Sequence, residues 1–211
     1  MCGIAGVIHR GSKSNVGGEL TSMLQSLKHR GPDSTGFALY GQDLSDNRFI
    51  MRFKLAEQED LASGFDIHET IAQRKATVDK RLDELGAVIV ESEEATDYAQ
   101  RYTFDFNGDL KRLIDFIEDI EDVEILSVGK ALELVKDLGD ASVVSGQYGL
   151  GTFEGTHAIG HTRMATESDV DIRSAHPYWA YPFSDVSLVH NGQLTNYWSK
   201  RRDLERRGHR F

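Results

Sequence analysis

The chain changes character twice along its length, and this limits what it can fold into. Before residue 50 and after residue 145 it is rich in Gly, His and short polar turns. Between them it reads as ordinary amphipathic helix and strand. Charge follows the same division. Residues 51–140 carry 23 Asp and Glu against 11 Lys and Arg, while the whole chain has a net charge of −10, so the flanks are slightly basic. The pattern predicts one unit built from residues 1–50 and 145–211, interrupted by an inserted α/β segment over 51–144.

The composition excludes several classes of protein. With 211 residues, 39% of them hydrophobic, the chain can fill one sizeable core or two small ones. The longest apolar runs, such as Leu85 to Val90 broken by Gly86, are too short to cross a bilayer, and the N-terminus lacks a signal-peptide pattern. A single cysteine allows no intrachain disulfide, which fits a reducing cytoplasm. The net negative charge argues against non-specific binding to nucleic acid or to an anionic membrane.

Along the chain, Gly3 to Ile8 reads as a buried strand. Leu20, Met23, Leu24 and Leu27 recur at helical spacing, and Lys28-His29-Arg30-Gly31-Pro32 is a stop signal for that helix. Gly36 to Tyr40 and Phe49 to Phe53 read as successive strands of a hairpin or meander. Within the middle segment, helices are expected over 68–85, 110–120 and 131–138. Strands are expected over 87–90 (buried), 102–106 and 123–128, alternating with the helices as in a small α/β sandwich. Thr156 to Thr162 and Val186 to His190 read as strands, and Thr195 to Arg207 as a basic helix ended by Gly208.

Four clusters can carry chemistry. Removal of Met1 would leave Cys2 with a thiol and an α-amine on one carbon framework. The amine, with an ordinary pKa of about 8, can take the thiol proton, so one residue supplies both nucleophile and base. The bland alternative is that Cys2 merely begins a strand. In His190-Asn191-Gly192, the Asn191 amide and the Gly192 N–H can bind an oxyanion, although Asn-Gly is also a strong hairpin signal. In Gly160-His161-Thr162-Arg163-Met164-Ala165-Thr166, Arg163 and Thr166 can grip a carboxylate, or Arg163 can make a surface salt bridge. His29-Arg30-Gly31-Pro32-Asp33-Ser34 is a helix stop and turn, and His176-Pro177 is a loop anchor or a pocket wall. His157 and His161 lie in an extended segment, so their i, i+4 spacing does not make them metal ligands, and no metal site is expected.

Taken in order, Met-Cys-Gly-Ile-Ala-Gly, His-Arg-Gly-Pro-Asp-Ser, Gly-His-Thr-Arg-Met-Ala-Thr, Ala-His-Pro and His-Asn-Gly resemble the class II glutamine amidotransferase domain, an N-terminal-nucleophile hydrolase, over residues 1–41 and about 157–211. With a long insert before the Gly-His-Thr-Arg strand, the pattern is most similar to stand-alone glutamate-synthase-like subunits, including those of N-methylglutamate synthase.

The resemblance implies an α+β fold, the four-layer αββα sandwich, incomplete at the C-terminus. It implies Cys2 as nucleophile, Asn191 and Gly192 as oxyanion hole, and Arg163 and Thr166 on the glutamine carboxylate, with Arg30 and His176 shaping the pocket. The implied reaction releases ammonia from L-glutamine for a synthase partner that can carry FMN and iron–sulfur clusters, in a hetero-oligomer; no cofactor is expected in this chain. The family's aspartate for the glutamine α-amino group would lie beyond Phe211, and Glu167 stands beside the carboxylate grip. Alternative readings are another N-terminal-nucleophile amidohydrolase, or a non-catalytic glutamine-binding regulatory or assembly subunit.

Overall fold

The computed structural model describes residues 2–31, 33–63, 66–164, 172–192 and 194–209. In chain order the elements are β1 (Gly3–Ile8), α1 (Val16–Ser26), β2 (Ser34–Tyr40), β3 (Arg48–Lys54), α2 (Asp66–Glu84), β4 (Val88–Thr96), β5 (Ala99–Asp105), α3 (Leu110–Glu118), β6 (Glu124–Gly129), β7 (Leu132–Leu138), α4 (Ala141–Gln147), β8 (His157–Arg163), β9 (Tyr178–Trp179), β10 (Ser187–Leu188) and α5 (Tyr197–Arg206). Short 3-10 turns lie between them, one of them Lys28–Arg30. Among the described residues no helix is long and apolar enough to cross a membrane.

Two four-stranded sheets organise the chain, and every pairing in them is antiparallel. The first has the order β1-β8-β2-β7 and the second β4-β5-β3-β6. Helices α1 and α4 pack on the first sheet, and α2 and α3 on the second. This is a mixed α+β architecture, in line with the class expected from the residues.

Helix α1 forms because Asn15 caps it, accepting from the Gly18 N–H at 2.8 Å, and because Val16, Leu20 and Leu24 share a buried stripe. Each of those leucines contributes about 1.5–3 kcal/mol by leaving water. The helix sits so close to β1 that a Cβ at Gly3 would come within 3.1 Å of Leu27. One apolar core joins both sheets, from Leu20, Leu24 and Phe37 through Met51 and Phe53 to Tyr102, Ile114 and Val128.

Several local expectations are corrected. Strands β2 and β3 do not pair with each other; they belong to different sheets. The strand at 87–90 is not buried. It begins β4, the edge of the second sheet, with Val88 63% and Val90 49% exposed. The middle segment is antiparallel, because β3 pairs with both β5 and β6, so the α/β alternation seen along the sequence does not become parallel pairing.

Residues 131–138 are not helical. They supply β7, which pairs with β2 over seven positions from Ser34↔Leu138 to Tyr40↔Leu132. The side chains account for this change. As a strand, β7 delivers Glu133 to Arg52 at 2.6 Å and to Arg101 at 2.9 Å, and Asp137 to the hydroxyls of Tyr98 and Tyr148, each at 2.6 Å. Burial alone would push the Glu133 carboxyl up. The two guanidiniums overcome that and hold it below the usual range. Helix propensity is worth tenths of a kcal/mol per residue, and removing one partner from a buried ion pair costs several, so the tertiary contacts win.

Candidate active site

The register of the first sheet gathers residues that lie far apart in the chain. In β1, Gly3 pairs with Thr162 of β8, and Arg163 pairs with Ser34 of β2. The start of β1, the end of β8 and the start of β2 therefore meet at one end of the sheet. Cys2 stands just before β1, half-buried and with a free thiol. The Met164 N–H donates to its Sγ at 3.5 Å, and the Met164 carbonyl lies 3.9 Å from the same sulfur.

Arg30 arrives from the 3-10 turn after α1. Gly31 presses against β8 so closely that a Cβ there would lie 2.6 Å from the Arg163 carbonyl carbon and 2.7 Å from that of Thr162. This close approach requires glycine, and it fixes Arg30 beside the end of β8. The Arg30 Nε is buried without a partner among the described residues. The Ser34 Oγ and the Thr162 Oγ1 are in the same condition. Buried polar groups in folded chains are nearly always paired, so these three atoms stand out at this end of the sheet.

Asn191 comes from the opposite direction, beyond β10, and its Nδ2 donates to the Cys2 carbonyl at 3.0 Å. An amide nitrogen carries two N–H groups, so this bond uses only half of its donor capacity. Among the described residues, Asn191 and Gly192 do not join two paired strands. The β9–β10 hairpin pairs Trp179 with Ser187 and Tyr178 with Leu188, and so closes before Asn191. A Cβ at Gly192 would lie 3.2 Å from the His190 ring.

Three histidines line the same region. The His176 ring centroid is 4.9 Å from that of His161 and 6.5 Å from that of His190. His176 rides on β2 at Gly36, where a Cβ would lie 2.1 Å from the His176 carbonyl oxygen. His161 is only 2% exposed and both of its ring nitrogens are buried without a partner among the described residues, as is Nδ1 of His176.

Burial, reinforced by the charge of Arg163 and by His190, depresses His161 to about 4. Burial and the neighbouring His161, His190, Lys136 and Arg163 also bring His176 to about 4. Both rings are neutral near pH 7. Since their ordinary value is 6.5, the unfolded chain binds more protons than the folded one between pH 6.5 and about 4. The stability these rings leave intact above that window is lost as pH falls through it. Replacing both by Asn is therefore expected to flatten the fall in unfolding free energy between about pH 7 and about pH 5, measured by urea titration; an unchanged slope would place the pH dependence elsewhere.

A residue that the motifs did not single out anchors the covering segment at the other end of the sheet, where Leu132 pairs with Tyr40. Asp185 has φ 59, a conformation that Asp tolerates better than most side chains, and it accepts from three successive backbone N–H groups of the β6–β7 turn. The distances are 2.9 Å from Lys130, 2.8 Å from Ala131 and 2.8 Å from Leu132. A Cβ at Gly129 would lie 2.5 Å from the same carboxylate, so the turn is shaped around it. Tyr40 and Ser187 add a hydroxyl–hydroxyl bond of 2.7 Å. Together these contacts moor the segment that ends in Asn191. Asp185→Ala is expected to cost roughly 1–3 kcal/mol in urea unfolding, since three donors lose their acceptor; a change within error would mean water replaces the carboxylate at no cost.

Of the residues predicted from sequence, Cys2, Asn191, Gly192, Arg163, Arg30 and His176 fall within this one end of the sheet and its covering segment. Thr166 and Glu167 lie outside the described residues. His161 was passed over, yet the alternation along β8 puts it on the same face as Arg163, a signal present in the strand pattern itself. Among the described residues no group of three or more His, Cys, Asp or Glu side chains is gathered for a metal ion.

Over 215 aligned positions the chain is 40% identical to a putative glutamine amidotransferase of Methanothermobacter thermautotrophicus, covering 100% of this chain and 67% of that protein. The chain belongs to the glutamine amidotransferase family. It is also 32% identical to the glutamine amidotransferase-like protein GlxB of Rhizobium meliloti, over 100% of this chain and 65% of the relative. A shorter stretch, 39% of the chain, is 37% identical to the glutamine–fructose-6-phosphate aminotransferase of Thermus thermophilus, of which it covers 13%. No family profile matches the chain. The chain spans about two thirds of the length of both the Methanothermobacter and the Rhizobium relative.

Proposed function

We propose that the chain is the glutamine-hydrolysing part of a class II amidotransferase, with Cys2 as its nucleophile once Met1 is removed. The observation that carries this reading is that Cys2, at the start of β1, receives the Met164 N–H on its sulfur and the Asn191 amide on its carbonyl, next to the strand end that carries Arg163. In this reading Cys2 supplies the attacking group, the Asn191 amide a donor for the oxyanion, and Arg163, at the end of β8, the guanidinium for the substrate carboxylate.

The chemistry follows from those groups. The α-amine of Cys2 takes the thiol proton, and the thiolate attacks the side-chain carboxamide carbon of glutamine. The second N–H of Asn191, with the Gly192 N–H, binds the oxyanion as it forms. The ammonium of Cys2 returns its proton to the departing nitrogen, which leaves as ammonia, and a glutamyl thioester remains. Water attacks the thioester, frees glutamate and restores the thiol. Arg163 holds the α-carboxylate through its fork, with Thr166 assisting, while Arg30 and His176 close the pocket.

The wider reading is a four-layer αββα sandwich. The ammonia passes to a glutamate-synthase-like partner that carries the flavin and iron–sulfur chemistry, in a hetero-oligomer. Mass spectrometry after treatment with a diazo-ketone analogue of glutamine tests the core of this proposal. An adduct on an N-terminal Cys2, suppressed by excess glutamine, is expected. A processed chain that stays unlabelled in the presence of its partner would sink it.

A further inference from the structure

Helix α2 and the β4–β5 hairpin flank an open cleft of about 500 Å³ on the second sheet, within the size range of small-molecule sites. It is built by helical spacing. His68, Ile71, Ala72, Lys75, Ala76 and Asp79 recur on one face of α2 and form one wall. Glu94 and Asp97, at the end of the hairpin, form the other, and both are exposed to solvent.

Gln100 lies between the walls. It pairs across the sheet with Phe53 on one side and Glu94 on the other, is 2% exposed, and lines the cleft. Its Oε1 is buried without a hydrogen-bond partner among the described residues. The neighbouring Tyr102 contrasts with it, since its hydroxyl donates to Asp79 at 2.7 Å. A buried amide oxygen with no donor costs about 1–3 kcal/mol, a penalty that is relieved when a donor enters.

We propose that this cleft binds a small aliphatic primary ammonium compound. The unpaired Gln100 oxygen and the Asp79, Glu94 and Asp97 carboxylates are all acceptors, so they ask for a cation rich in N–H groups. Ile71, Ala72 and Ala76 give an alkyl chain something to lie against, which a hydrated metal ion could not use. Lys75 stands 3.8 Å from Glu94, and the three carboxylates on the walls outnumber it. The surrounding segment is itself strongly acidic and draws cations towards the cleft. The site lies in the second sheet, apart from Cys2, and its occupancy does not depend on glutamine chemistry.

Isothermal titration of the full chain with 1,4-diaminobutane tests the inference, with butane-1,4-diol as the uncharged control. The diamine is expected to bind saturably with a dissociation constant below about 1 mM, and the diol not to bind. Gln100→Leu is expected to weaken the diamine by about tenfold or more while keeping or raising the unfolding temperature, because it removes the orphaned amide at nearly constant volume. The exposed pair Glu94→Gln and Asp97→Asn, which should fold normally, is expected to weaken it about fivefold. Three results would overturn the proposal: no saturable binding up to about 10 mM, equal binding of the diol, or unchanged affinity in both the Gln100 variant and the double carboxylate variant.

Discussion

Cys2→Ala is expected to reduce glutamine hydrolysis by about 10⁴-fold or more, with little change in stability. The first half follows from having no second thiol: Cys2 is the only cysteine, so no neighbour can take over the attack. The second half follows from its contacts. Cys2 is half-buried, and among the described residues its sulfur meets one backbone N–H at 3.5 Å and one carbonyl at 3.9 Å, both weak contacts to sulfur. Losing them should move the unfolding midpoint by less than roughly 1 kcal/mol. Turnover and urea unfolding measured on the same preparation separate the two claims, and retained turnover would end the thioester mechanism.

Asn191→Ala carries the second large effect, a fall in kcat of about 10²–10³-fold with KM little altered. An oxyanion donor acts on charge that appears only in the transition state, so its loss is felt in kcat rather than in substrate binding. The competing role, a turn residue, predicts something else: a loss of stability with kcat preserved. The structure sharpens the contrast, because the β9–β10 hairpin ends before Asn191 while its Nδ2 reaches the Cys2 carbonyl. An unchanged kcat in the folded variant would return Asn191 to a purely architectural role, that of holding the start of β1.

These two residues were legible because their chemistry is carried by residue type. Cysteine at position 2, and an amide followed by glycine, announce themselves wherever they stand. Asp185 did not, because its partners are main-chain N–H groups of Lys130, Ala131 and Leu132, and any sequence provides those. Gln100 was equally silent, since a glutamine in a strand gives no sign of whether its amide finds a partner.

The same division holds for the fold. Periodicity alone specified β1, α1, α2, α3 and β8 to within a few residues, because each buries one stripe or one face and the apolar spacing records it. It could not specify β7. Leu132-Glu133-Leu134-Val135-Lys136-Asp137 suits a helix as well as a strand, and the choice rests on Arg52, Arg101, Tyr98 and Tyr148, which arrive from β3, β5 and α4 and their borders.

Nor could it say that β2 and β3, neighbours in the chain, part into different sheets. Strand partners are selected by contacts between remote segments, and local pattern carries no record of them. The candidate site shows both sides of this. The identity of its groups is written in the order of the motifs. Their meeting is not: it depends on the antiparallel register that sets Gly3 against Thr162 and Arg163 against Ser34, and on the bond from the Asn191 amide to the Cys2 carbonyl.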